Sequence, residues 1–103
     1  MNCEFIKACI EGDLKLIEKL LEKEPERGRI DIHANNEDAF IWTCRNGHAS
    51  ILEKLIELEK RPGEKRINIH ANNEEAFRYA CQKRHLSIVE KLLELEKEPG
   101  RGK

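Results

Sequence analysis

The apolar residues of this chain fall into short helical stripes separated by polar, turn-rich breaks. In the middle of the sequence Ala39, Phe40, Thr43 and Cys44 recur at i, i+1, i+4 and i+5, and Asn46-Gly47 then interrupts the run. This spacing predicts a short helix. A second stripe of Ile51, Leu52, Leu55, Ile56 and Leu58 carries Glu53, Lys54, Glu57 and Lys60 on its opposite side, which predicts a longer amphipathic helix. Pro62-Gly63 closes it. Arg66-Ile67-Asn68-Ile69-His70 then alternates polar and apolar residues, an extended segment leading into the turn-forming pair Asn72-Asn73. Asn35 with Asp38, and Asn72 with Glu75, fit the spacing of a capping box, or else the acid is itself the cap or a first-turn residue. Either way an acid sits at the positive end of the helix dipole.

The whole pattern recurs. RIDIHANNEDAF…EKLIELEKRPG from Arg29 is followed by RINIHANNEEAF…EKLLELEKEPG from Arg66, a period of 37 residues. Near the N-terminus Cys9, Gly12, Ile17, Leu20 and Leu21 stand 35 residues before Cys44, Gly47, Leu52, Leu55 and Ile56, so a shorter first copy precedes the other two. Self-similarity at such a period marks a stacked solenoid, and three copies are about the minimum that buries a continuous core. The expected architecture is all-α: one domain of three stacked helix-turn-helix units, at about residues 1–28, 29–65 and 66–103, joined by extended loops or short hairpins.

Composition agrees with a thin, high-surface shape. The 103 residues are 39% hydrophobic and 38% charged. Lys and Arg number 19 against 20 Asp and Glu, a net charge of −1, so no long-range field draws in nucleic acid or an anionic membrane. No apolar stretch approaches the ~18 residues of a membrane span, and the N-terminal MNCEFIKACIEGD lacks the apolar run of a signal peptide. A cytoplasmic or nuclear setting is the expectation.

Three strings carry a family resemblance: NGHASILEKLIEL, RHLSIVEKLLEL and EGDLKLIEKLL. They resemble the second helix of ankyrin repeats, in which a Gly-His turn leads into an aliphatic helix. The helices ending in Ala8-Cys9, Thr43-Cys44 and Ala80-Cys81 are similar to the ankyrin first helix, and INIHANN to its extended segment. Departures are specific. Asp38-Ala39-Phe40-Ile41 and Glu75-Ala76-Phe77-Arg78 stand where the family has Thr-Pro-Leu-His, so the Pro at the first helical position is missing. Arg84 replaces the turn glycine present as Gly12 and Gly47; in a left-handed turn it would cost about 1–2 kcal/mol relative to Gly.

The resemblance implies a non-catalytic module that binds a protein partner through the concave face built by loop tips and first helices. Carried onto this sequence, that face comprises Asn36, Glu37, Ile41, Arg45, Asn73, Glu74, Arg78 and Gln82. The copies differ most there, as Ile41, Trp42, Thr43, Arg45, Asn46 and Gly47 become Arg78, Tyr79, Ala80, Gln82, Lys83 and Arg84, which reads as freedom from the demands of the fold. A solubilising cap explains Lys83 and Arg84 equally well. Trp42 and Tyr79 align with a core position of the family, and packing is the favoured role. The alternative reading is an engineered or idealised scaffold with no natural partner, suggested by near-identical copies and a regular Glu/Lys surface.

Catalytic and metal chemistry lack residues to carry them. Cys9, Cys44 and Cys81 share one repeat position, expected to be a small buried hydrophobe, and stacking would separate them by about 8–10 Å, beyond disulfide reach. Cys3 is expected to be a free thiol. His33 with His70, and His48 with His85, lie a full repeat apart, too far to share one metal ion at about 2 Å each. Neither a phosphate loop nor a serine elbow is present, so no enzyme, no metal and no cofactor is expected. The end units of so short a stack leave apolar faces uncovered, which allows a monomer or a weak homodimer.

Overall fold

A computed structural model describes residues 2–98 of the chain. The end of the third unit, 99–103, lies outside the described residues. The helices are α1 (Asn2–Glu11), α2 (Leu14–Glu22), the single turn α3 (Glu24–Arg27), α4 (Ala34–Arg45), α5 (Ala49–Glu59), α6 (Ala71–Gln82) and α7 (Leu86–Glu96), and no strand occurs among the described residues. The molecule is a slab of 38 × 29 × 20 Å.

Two layers make up the slab. The first helices α1, α4 and α6 pack side by side in chain order, and each second helix folds back on its partner to form the layer of α2, α5 and α7. The second helices are splayed, with open grooves between α2 and α5 (Leu14, Glu18, Ser50, Glu53) and between α5 and α7 (Leu52, Glu53, Ser87, Lys91). This asymmetry curves the stack toward the first helices. One core runs the length of the slab. Both stripes of the middle unit are buried in it, including Phe40, Cys44, Ile51, Leu52 and Leu55, and so are the aliphatic residues of the extended segments, Ile30, Ile32, Ile67 and Ile69.

The turn between the helices of one unit is locked by the next. Gly12 and Gly47 adopt φ of +76° and +74°, the left-handed region that glycine enters without penalty. Over Gly12 lies the ring of His48, whose Nε2 donates to the carbonyl of Ile10 at 3.0 Å. Over Gly47 lies the ring of His85, whose Nε2 donates to the carbonyl of Arg45 at 3.1 Å. In the first unit the position of His48 and His85 is taken by an aspartate. There Asp13 caps its own helix instead, accepting from the Leu16 N–H at 3.1 Å. Arg84 occupies the same left-handed turn at φ 61°, as the alignment with Gly12 and Gly47 anticipated.

The expected capping boxes are not formed. Asn35, Asn36 and Glu37 make one left-handed turn at φ 57°, 58° and 67°, repeated by Asn72, Asn73 and Glu74 at 55°, 59° and 65°. No side-chain cap is made at the start of either helix. Left-handed backbone costs about 1–2 kcal/mol per residue in general and least for Asn, whose short polar side chain tolerates it, which is why an Asn pair opens each turn. The third member is held by its contacts. Glu37 turns back so that its carboxylate meets the Nδ1 of His33 at 2.9 Å and accepts the N–H of Asn68 in the next unit at 2.7 Å.

Candidate functional site

The first-helix face is built from α4, α6 and the left-handed turns that precede them. Along this face the structure divides the eight residues named from the resemblance into two groups. Asn36, Asn73, Glu74, Arg78 and Gln82 are exposed, and Arg45 is half-buried. Ile41 and Glu37 are not on the surface.

Ile41 is 3% exposed and Glu37 6%. Ile41 faces the seam between stacked units, as does its counterpart Ile6, which is 9% exposed. In the third unit, on which nothing stacks among the described residues, this position is the exposed Arg78. The same reason accounts for Cys81, which is exposed although its counterparts Cys9 and Cys44 are buried. Much of the variation between copies therefore follows position in the stack. Glu37 is withdrawn because its carboxylate satisfies a backbone donor of the following unit, whereas its counterpart Glu74 has a side chain 48% exposed.

What remains on the face is ordered by local contacts. The Asn36 amide donates to the Asn72 side-chain oxygen of the next unit at 2.5 Å, Arg78 Nε donates to the Asn73 carbonyl at 3.1 Å, and Glu74 bonds the His70 ring at 2.6 Å. At its centre the guanidinium of Arg45 lies 4.7 Å from the ring centroid of Trp42 and 4.2 Å from that of Tyr79. Both rings are half-buried rather than core, so their expected packing role is only part of what they do. Each presents a ring face to the cation, and Trp42 also packs against the core. The sequence did hold a trace of this cluster, because Arg45 follows Trp42 by one helical turn and Tyr79 is the repeat counterpart of Trp42.

Burial raises the Cys9 thiol from the usual value near 9 to about 11, and burial pushes Cys44 further in the same direction. Both are poor nucleophiles as a result. Among the described residues no group of three or more His, Cys, Asp or Glu could hold a metal ion.

A family model for ankyrin repeats in 3 copies matches residues 5–102. The chain belongs to the ankyrin-repeat family. No curated protein and no solved structure matches it. Ankyrin repeats in general mediate protein–protein interaction and are typically non-catalytic. In this ankyrin-repeat chain the left-handed turn of Asn35, Asn36 and Glu37 immediately precedes Asp38-Ala39, which stand where the family has Thr-Pro. No helix of the described residues is long and apolar enough to cross a membrane.

Proposed function

We propose that the protein is a non-catalytic binding module that docks a partner protein on its first-helix face, with Arg45 at the centre and Asn36, Asn73, Glu74, Arg78 and Gln82 around it. The observation that carries this reading is the Arg45 cation held between Trp42 and Tyr79, which belong to two different units. Arg, Trp and Tyr are the side chains that concentrate binding energy in interfaces, and here they already pack on one another, an arrangement that lowers the entropic cost of docking.

The test is a partner isolated by affinity capture and then remeasured with purified components. Binding weakened about tenfold or more by Arg45→Ala and by Arg78→Glu, in variants whose thermal unfolding is unchanged, supports the proposal. Binding indifferent to both substitutions removes this face from the mechanism. The second reading, an engineered or idealised scaffold without a partner, draws on the near-identity of the copies and on the large exposed hydrophobics being Leu86 and Leu93 of α7, away from this face.

A further inference from the structure

One end of the slab repeats, in open form, a site that is filled one unit earlier. A groove of about 280 Å³ on the last unit is lined by Ile69, His70, Glu74, Phe77, Leu92 and Glu96. Subtracting the 37-residue period gives Ile32, His33, Glu37, Phe40, Leu55 and Glu59, residue type for residue type the same set. In that earlier position the groove is occupied by the extended segment 65–68 of the following unit. The Lys65 carbonyl meets His33 Nε2 at 3.0 Å, the Ile67 N–H donates to Glu59 at 2.8 Å, and the Asn68 N–H donates to Glu37 at 2.7 Å. Ile67 itself is 1% exposed. The first unit shows a reduced form of the same contact, in which Ile30 N–H donates to Glu24 at 2.9 Å.

The filled site thus records what the open one recognises. Its ligand is an extended backbone with an aliphatic residue whose N–H, and that of the next residue, are both free to donate. In both segments a basic residue, Arg29 or Arg66, precedes that aliphatic residue. In the filled site Arg66 pairs with Glu98 at 3.8 Å, so at the open groove a basic residue contributes through charge complementarity to Glu74 and Glu96.

The rest of the end face refuses a whole further unit of this kind. A histidine seated on the last turn as His85 is seated on Gly47 would find the Cβ of Arg84, and at Gly47 such a Cβ would lie 2.6 Å from the ring. Where Ile6 and Ile41 accept the next first helix, the last unit presents Arg78. The helix half of the end is closed and the strand half is open. We infer that this end groove binds, in trans, an extended peptide of the form basic–aliphatic–x–aliphatic from another protein, a second binding site that borders the first-helix face at Glu74 and does not include Arg45.

The probe is a fluorescein-labelled peptide with the sequence of residues 64–70, titrated into the full-length protein and followed by anisotropy. Saturable binding is expected, weakened about tenfold or more in the protein variant Glu96→Gln with Glu74→Gln, and likewise for peptides carrying Ile67→Ala or Asn68→Pro, the last of which removes a donor N–H. Both glutamates are exposed, so the variant keeps its fold. Arg45→Ala should leave the peptide affinity within about twofold, which separates this site from the face proposed above. Absence of saturation up to about 1 mM peptide, or equal binding of the Asn68→Pro peptide, would overturn the inference. So would a dimer in light scattering that Glu96→Gln dissociates and the peptide does not, since the groove would then belong to a second copy.

Discussion

The imidazole of His48 rests on Gly12 so closely that a Cβ at residue 12 would sit 2.6 Å from its Cε1. The contact joins two units, because the same ring bonds the Ile10 carbonyl. Gly12→Ala should therefore cost about 2 kcal/mol or more, from left-handed strain plus displacement of the ring, and Gly47→Ala the same under His85. Arg84 bears only the strain. Arg84→Gly should stabilise the protein by about 1 kcal/mol, raising Tm by several degrees in a thermal melt. An Arg84→Gly protein melting no higher than the parent would show that its turn is not strained in solution.

Glu59 and Glu96 hold the same repeat position and should differ sharply when changed. Glu59 is 4% exposed and accepts the Ile67 N–H, so Glu59→Ala strands a buried donor and should cost about 2 kcal/mol in urea unfolding. Glu96 is exposed, and Glu96→Ala should fall within about 0.5 kcal/mol of the parent.

The four cysteines should react with a thiol reagent in two pairs. Cys3 and Cys81 are exposed and should label quickly in the native protein; Cys9 and Cys44 are buried and should wait for unfolding. Peptide mapping after a short pulse identifies which pair reacted.

The Cys9 thiol also sets a pH dependence. Its value is near 9 in the unfolded chain and about 11 in the folded one, so between those values the unfolded state has lost a proton that the native state keeps. Fewer protons on the unfolded state mean that stability falls as pH rises. The contribution is fully present below about pH 9 and declines from there toward pH 11. Urea midpoints should fall over this window in the parent and fall less in Cys9→Ala.

Ile41 and Arg78 provide a swap that distinguishes stacking from recognition. Ile41→Arg places a charge in the seam between α4 and α6, at a position 3% exposed, and should cost about 3 kcal/mol or unfold the chain. Arg78→Ile, on the exposed counterpart, should leave stability nearly unchanged while making the end face more apolar, detected as increased self-association in light scattering.

The helices and most of the core were legible in the hydrophobic spacing. Every apolar residue of both stripes in the middle unit is buried, and the extended segments carry their isoleucines inward as alternation implied. The turn was legible as well, down to the left-handed Arg84, because only a glycine or a strained residue fits there. The candidate surface was legible only in part. Periodicity places Ile41 and Arg78 on equivalent positions of a helix but is silent on whether another unit covers them, and that decided which one is exposed. Nor does spacing show that Glu37 bends back through a left-handed turn to serve the next unit.

By itself the sequence determined the repeat: its length, its two helices, its turn and the residues each copy turns inward, all of them set by contacts within about forty residues of chain. The tertiary structure decided what each copy does with equivalent residues. Stacking buries Glu37 and Glu59 and leaves Glu74 and Glu96 open, withdraws Cys44 and presents Cys81, and brings Arg45 between rings of two units. The physical reason is that burial in a solenoid belongs to the pair of neighbours, and among the described residues no unit stacks on α6 and α7 to cover the side chains that α4 and α5 bury.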